Sequence, residues 1–193
     1  LSLEAGKAVT TDALIDALWG EAPPRTARAA LQNYVAQLRR ALGPGVLESR
    51  GGGYALELRA EDVDLGLFER LTAEARQLTG ERKVQELREA LALWRGAPLA
   101  DIVFEPFAAR EAARLEELRT SALEDLIDAR LALGEGAGLV PELEGLISEH
   151  PFRERLRGQL MLALYRSGRQ AEALEAYRDA RRHLVEELGL EPG

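Results

Sequence analysis

The chain has 193 residues, of which 46% are hydrophobic and 30% charged, and its net charge is −8. It contains no cysteine, which excludes disulfides and thiolate metal sites and suits a reducing cytoplasm. No signal peptide is visible, and no apolar run approaches the ~18 residues a membrane-spanning helix needs.

In chain order, Thr10-Thr11-Asp12 predicts a cap for a helix over Ala13–Trp19, with Gly20 as its stop. Pro23-Pro24 then holds an extended turn, and Thr26 is expected to cap a second helix running to Leu42. Two helices joined by a short Gly/Pro turn make a helix-turn-helix. Gly43-Pro44-Gly45 ends the second helix. Val46–Arg50 and Tyr54–Leu58 read as two strands around Gly51-Gly52-Gly53. A glycine-rich loop can also cradle a phosphate, but here no Lys-Ser or Lys-Thr follows and no helix opens after it.

The second helix divides cleanly at about 100° per residue. Leu31, Val35, Leu38 and Leu42 form a stripe expected to face a core, with Ala27 and Tyr34 beside it. Opposite lie Ala29, Asn33, Ala36, Gln37 and Arg40, while Arg25, Arg28, Gln32 and Arg39 flank the stripe. Amides can read adenine edges, and arginines can read guanine or hold phosphates. Basic helix faces also occur as plain solvated surface. What distinguishes this one is the hairpin behind it, which carries Arg50. A winged helix-turn-helix needs both parts to hold DNA, one in the major groove and one in the neighbouring minor groove.

The charge distribution sharpens this expectation. Residues 1–59 hold seven Lys/Arg against six Asp/Glu, whereas the remainder holds eighteen against twenty-seven. Between Arg25 and Arg50 there are five arginines and one glutamate, Glu48. Positive charge therefore concentrates on the proposed groove-binding surface, and the acidic part should avoid DNA and present a surface to other partners.

From Glu61 onward the sequence is rich in Ala, Leu, Glu and Arg and predicts helices over 64–79, 83–94, 105–133, 139–149, 153–167 and 170–188. Within Leu156–Leu188, the residues Leu160, Leu164, Tyr165, Gly168, Ala171, Ala173, Leu174, Ala176 and Tyr177 resemble a tetratricopeptide helix pair. Tyr177 is expected to fill the groove between repeats. Leu139–His150 and Lys83–Trp94 look like further members of a degenerate array, because one helix pair cannot bury its apolar face alone.

Little suggests catalysis. The two histidines are too few for a His-rich metal site: His150 precedes Pro151 in a turn, and His183 is expected to be solvated. Asp125, Asp128 and Glu116-Glu117 fall on a long charged helix, where carboxylates usually form solvated pairs. Trp94, Phe104 and Phe107 are expected to anchor a core. No enzyme activity and no cofactor are expected.

The segment LIDALWGEAPPRTARAALQNYVAQLRRALG, followed by VLESRGGGY, resembles the DNA-binding domain of the Streptomyces antibiotic regulatory protein family. Its motifs here are Leu18-Trp19-Gly20, the block from Tyr34 to Leu42, and Arg50 to Tyr54. The resemblance implies a mainly α protein: an OmpR-type winged helix over residues 1–60, then an all-α, tetratricopeptide-like bacterial transcriptional activation domain over 61–193. OmpR-type domains begin with a small sheet and a first helix. Leu1–Gly6 looks like the last turns of that helix, so the sheet is expected to be missing from this sequence.

The implied function is sequence-specific activation of transcription, with promoter direct repeats of a secondary-metabolite gene cluster as target. Two protomers would sit side by side on DNA and recruit RNA polymerase in the bacterial cytoplasm, at the nucleoid. Gln32, Asn33 and Gln37 are the expected base-edge contacts. Thr10, Thr11, Arg25, Thr26, Arg28, Tyr34, Arg39 and Arg40 are the expected phosphate contacts, and Arg50 the minor-groove contact. A non-DNA adaptor, whose helical part binds a peptide or small molecule, remains the alternative.

Overall fold

The computed structural model describes residues 6–102 and 106–191. The chain divides into two compact units, Leu1–Leu71 with Ala92–Glu117, and Thr72–Leu91 with Leu118–Gly193.

The first unit opens with a short strand, β1 (Val9–Thr10), that runs straight into helix α1 (Thr11–Trp19). Thr10 ends the strand and caps the helix, its hydroxyl accepting from the Ala13 N–H at 3.2 Å. Asp12 in the first turn meets the positive end of the helix dipole. The second helix, α2, spans Ala27–Leu42. Thr26 occupies its N-cap position but makes no side-chain cap; the Ala27 N–H instead donates to the Pro24 carbonyl at 2.9 Å, closing a turn. The expected cap at Thr26 is thus replaced by backbone geometry set by Pro23-Pro24.

A hairpin follows, β2 (Leu47–Arg50) and β3 (Gly53–Leu56), with Leu47 opposite Leu56 and Arg50 opposite Gly53. β1 pairs with the far edge of β3, giving the order β1-β3-β2. This third strand is missing from the sequence-based expectation because two residues carry too little periodicity to register. Gly53 makes the sheet possible. A Cβ there would stand 2.0 Å from the Val9 carbonyl oxygen, so only glycine lets β1 cross so close. The helix end expected at Leu1–Gly6 falls largely on residues outside those described; Gly6 itself donates to the Leu56 carbonyl at 2.9 Å.

Leu31, Val35, Leu47 and Leu56 form the core of this winged helix-turn-helix, with Leu14, Ile15 and Trp19 packed against it. The expected apolar stripe of α2 is buried only at Ala27, Leu31 and Val35. Leu38 and Leu42 are exposed, since the last turns of α2 meet the hairpin through Arg39 rather than through the apolar stripe. Elsewhere in this unit Trp94 meets Phe68 edge to face at 5.2 Å, in keeping with an anchoring role. Phe104 lies outside the described residues, as does the side chain of Phe107.

Beyond the wing the described elements are helical: α3 (Asp64–Ala75), α4 (Gly80–Ala92), α5 (Pro106–Ala132), α6 (Gly136–Glu149), α7 (Glu154–Arg166) and α8 (Gln170–Leu188). In the second unit α6 packs on α7 and α7 on α8. Ile127, Leu131, Leu139, Leu143, Leu156 and Leu164 are central to the core they share with α5. Val84 and Leu87 of α4 build a separate cluster with Ala75, Leu126 and Ala129. Helix α6 starts three residues earlier than the sequence suggests. Its first residue, Gly136, sits against α7, where a Cβ would approach the Ala163 carbonyl oxygen to 3.1 Å.

Three sequence expectations in this unit are corrected. Asp125 and Asp128 form partly exposed ion pairs, but with a partner off their own helix: the Arg155 guanidinium holds them at 2.6 and 2.5 Å, tying α5 to α7. Beside them Glu124, buried at 3% exposure, is held by Arg153 through two hydrogen bonds of 3.1 and 3.0 Å. His183 is not solvated; its ring stacks on Phe152 at 5.2 Å. Tyr177 does not fill an interhelical groove. α8 buries Ala173, Ala180 and Leu184, which turns Tyr177 and Leu174 outward.

Candidate nucleic-acid interface

The face of α2 opposite its core stripe is open. Asn33, Ala36, Gln37 and Arg40 are exposed along it, and Gln32 is exposed on its flank. Spacings of three and four residues bring Asn33, Gln37 and Arg40 onto one surface of a helix of groove-filling width. Ala29 and Ala36 keep that surface low, which allows the backbone to approach a groove floor.

Of the flanking residues Arg28, Gln32 and Arg39, it is Arg39 that meets the wing. The Arg39 Nε donates to the Leu47 carbonyl at 2.8 Å, and its Nη2 donates to the Ser49 hydroxyl at 2.8 Å. The same guanidinium lies 5.9 Å from the Tyr54 ring centroid. Arg39 therefore braces helix and hairpin against each other. Thr11 makes the corresponding tie from α1: its hydroxyl donates to the Gly52 carbonyl at 2.8 Å, holding the wing tip to a helix N-terminus. Helix, wing and helix N-terminus form one braced surface. The bracing roles of Thr11, Arg39 and Ser49 escape sequence reasoning, because each depends on contacts between separate elements.

The other predicted residues divide by partner. Arg28 pairs with Asp12 at 2.9 Å, both well exposed. Arg50, beside the glycine tip of the wing, pairs with Glu57 at 2.9 Å. Arg40 reaches back to the Ala36 carbonyl at 3.3 Å, while Arg25 and Thr26 stand exposed in the turn before α2. Tyr34 is 47% exposed and stacks on Trp19 at 6.3 Å. Thr10 spends its hydroxyl on capping α1. Among the described residues, no cluster could hold a metal ion, and no helix is long and apolar enough to cross a membrane.

Two family models match the chain. The C-terminal domain of transcriptional regulatory proteins matches residues 1–56, and the bacterial transcriptional activator domain matches residues 63–193. The chain belongs to the Streptomyces antibiotic regulatory protein family.

Within that family it is 42% identical over 207 residues to the regulatory protein DnrI of Streptomyces peucetius, covering all of this chain and 76% of that protein. It is 45% identical over 196 residues to the regulatory protein AfsR of Streptomyces griseus, covering all of this chain but 20% of AfsR. It spans 52% of the transcriptional regulatory protein EmbR of Mycobacterium tuberculosis, at 37% identity. A solved structure of M. tuberculosis EmbR in complex with a low-affinity phosphopeptide superimposes with a TM-score of 0.96 at 36% identity, covering all of this chain and 54% of that one. By name DnrI and AfsR are regulatory proteins, and EmbR is a transcriptional regulatory protein.

Proposed function

We propose that the chain is a sequence-specific DNA-binding activator of transcription, with α2 in the major groove and the wing over the adjacent minor groove. The observation that carries this is the braced surface. Arg39 ties α2 to the Gly-tipped hairpin and Thr11 ties α1 to the same hairpin, so the open face of α2 and the wing can engage one duplex together.

On this reading Gln32, Asn33 and Gln37 meet base edges. Arg25, Arg28, Arg40 and Tyr34 hold phosphates, with Thr10, Thr11 and Thr26 at the helix N-termini. Arg39 adds a phosphate contact from its brace, and Arg50 enters the minor groove once Glu57 releases it. Residues 1–60 hold DNA and residues 61–193 serve activation. The target is a promoter direct repeat in a secondary-metabolite gene cluster. Two protomers lie side by side on it, about one helical turn apart, and recruit RNA polymerase. The protein works in the bacterial cytoplasm, at the nucleoid.

A footprinting titration over the promoter region upstream of its own gene tests this. Two protected tracts in direct repeat are expected. Uniform cleavage at every protein concentration would contradict the proposal.

A further inference from the structure

We propose that the groove formed by α6, α7 and α8 is a docking site for a cationic, apolar-anchored segment of a partner protein. The groove is about 320 Å³ and lies wholly within the second unit. Ile147, Leu160, Leu164 and Ala176 line its floor, and these residues belong to or pack against the main core, so the floor is firm. Its rim carries Glu144 from α6 and Glu172, Glu175 and Asp179 from α8.

A second stretch of about 270 Å³ adjoins the first and is balanced in charge, with Arg157 and Arg182 against Asp179 and Glu186. The carboxylates of α8 recur at spacings of three, four and seven residues and extend about 21 Å along one side of that helix.

One lining arginine stands against the four carboxylates of the first groove. Arg157 keeps its charge at the groove, its Nε donating to the neutral Pro151 carbonyl at 2.9 Å. Arg182 pairs with Asp179 and Arg169 with Glu172, both three residues apart and exposed, pairs of a kind that exchange at little cost. Glu144 also feels Arg169, the partner of Glu172, while Glu175 makes no ion pair among the described residues.

This combination selects the occupant. An apolar floor requires an apolar anchor, and the volume admits a few side chains rather than a helix about 10 Å across. The segment therefore rests on the rim and lowers side chains into the groove, with Lys or Arg on either side of them. A second copy of this chain would set carboxylates against carboxylates, and nucleic acid would set phosphates against them. The inference is independent of the DNA reading, because none of the proposed DNA contacts lines the groove.

The test uses the full chain and a fluorescein-labelled amphipathic helical peptide of leucine and lysine. Two control peptides carry glutamate for lysine or serine for leucine. The leucine–lysine peptide should bind, move the backbone amide resonances of Ile147, Leu160 and Ala176, and weaken as salt rises. Glu144→Lys with Glu175→Lys should reduce its affinity about tenfold or more, through like-charge repulsion at the rim. Glu81→Lys with Glu89→Lys, an equal charge change on α4, should leave affinity within about twofold. The milder Glu144→Gln with Glu175→Gln should fall in between. Failure of the leucine–lysine peptide to bind, equal binding of either control peptide, resonance changes gathered elsewhere, or equal effects of the two charge reversals would each overturn the proposal.

Discussion

Gly53 carries more of the winged unit than its size suggests. It lets β1 lie against β3, and β1 in turn sets where α1 begins, because Thr10 belongs to both. Gly53→Ala would drive a Cβ into the Val9 carbonyl and the Thr10 backbone. It should destabilise the chain by about 1–3 kcal/mol, the usual cost of overpacking, read as a lower urea midpoint. An unchanged midpoint would mean that β1 is dispensable.

Glu57 offers a test of opposite sign. It pairs with Arg50 of the wing, so on the proposed reading it competes with DNA for that guanidinium. Glu57→Gln should strengthen DNA binding by about 0.2–1 kcal/mol, the worth of an exposed pair. Weaker binding would show that the pair supports the bound conformation instead. At this scale the sequence is informative about residue type but not about partner. The exposed amides of α2 are visible from helical phase alone. That Arg39 spends its guanidinium on Leu47 and Ser49 follows from a wing register no periodicity reveals.

Among elements, α5 and α7 are joined by charge as well as by apolar packing. Glu124 is buried and faces Arg153, while Arg155 spans Asp125 and Asp128. Gln159 adds hydrogen bonds to the Glu124 carbonyl at 2.8 Å and to Asp128 at 2.7 Å. Glu124→Ala removes one side of a buried pair and should cost about 3 kcal/mol in denaturant unfolding. A cost near zero would class the network as a surface feature.

Helix existence in this region is legible because Ala, Leu, Glu and Arg favour helix throughout. Helix boundaries and faces are less so. The start of α6 depends on Gly136 fitting against α7, and the exposure of Tyr177 depends on which side of α8 meets α7. Both are decided by packing partners distant in sequence. The same distance hides the network itself: spacing along α5 does not reveal that Asp125 and Asp128 take Arg155, some thirty residues on, as their partner.

For the whole molecule, several carboxylates are held below their usual range by arginine hydrogen bonds: Asp62 by Arg59, Glu172 by Arg169, and Glu191 by Arg181. Each binds its proton more weakly in the fold than in the unfolded chain. Their stabilisation is therefore complete above the ordinary carboxylate range and is lost as pH falls through and below it. Urea midpoints should hold steady from neutral pH down to about 5 and then decline toward pH 3. A midpoint that rises on acidification would show that repulsion among the many acidic groups outweighs these pairs.

The division of charge gives the molecule its direction: a locally basic winged surface and an acidic helical remainder. The central claim is that α2 reads base sequence, and selection from a pool of randomised duplexes tests it most directly. The full chain should enrich a defined motif. Gln37→Ala should relax preference at one position of that motif, by about 1–3 kcal/mol of discrimination. A pool that stays random after repeated selection, or a Gln37→Ala profile identical to that of the unaltered chain, would contradict the account.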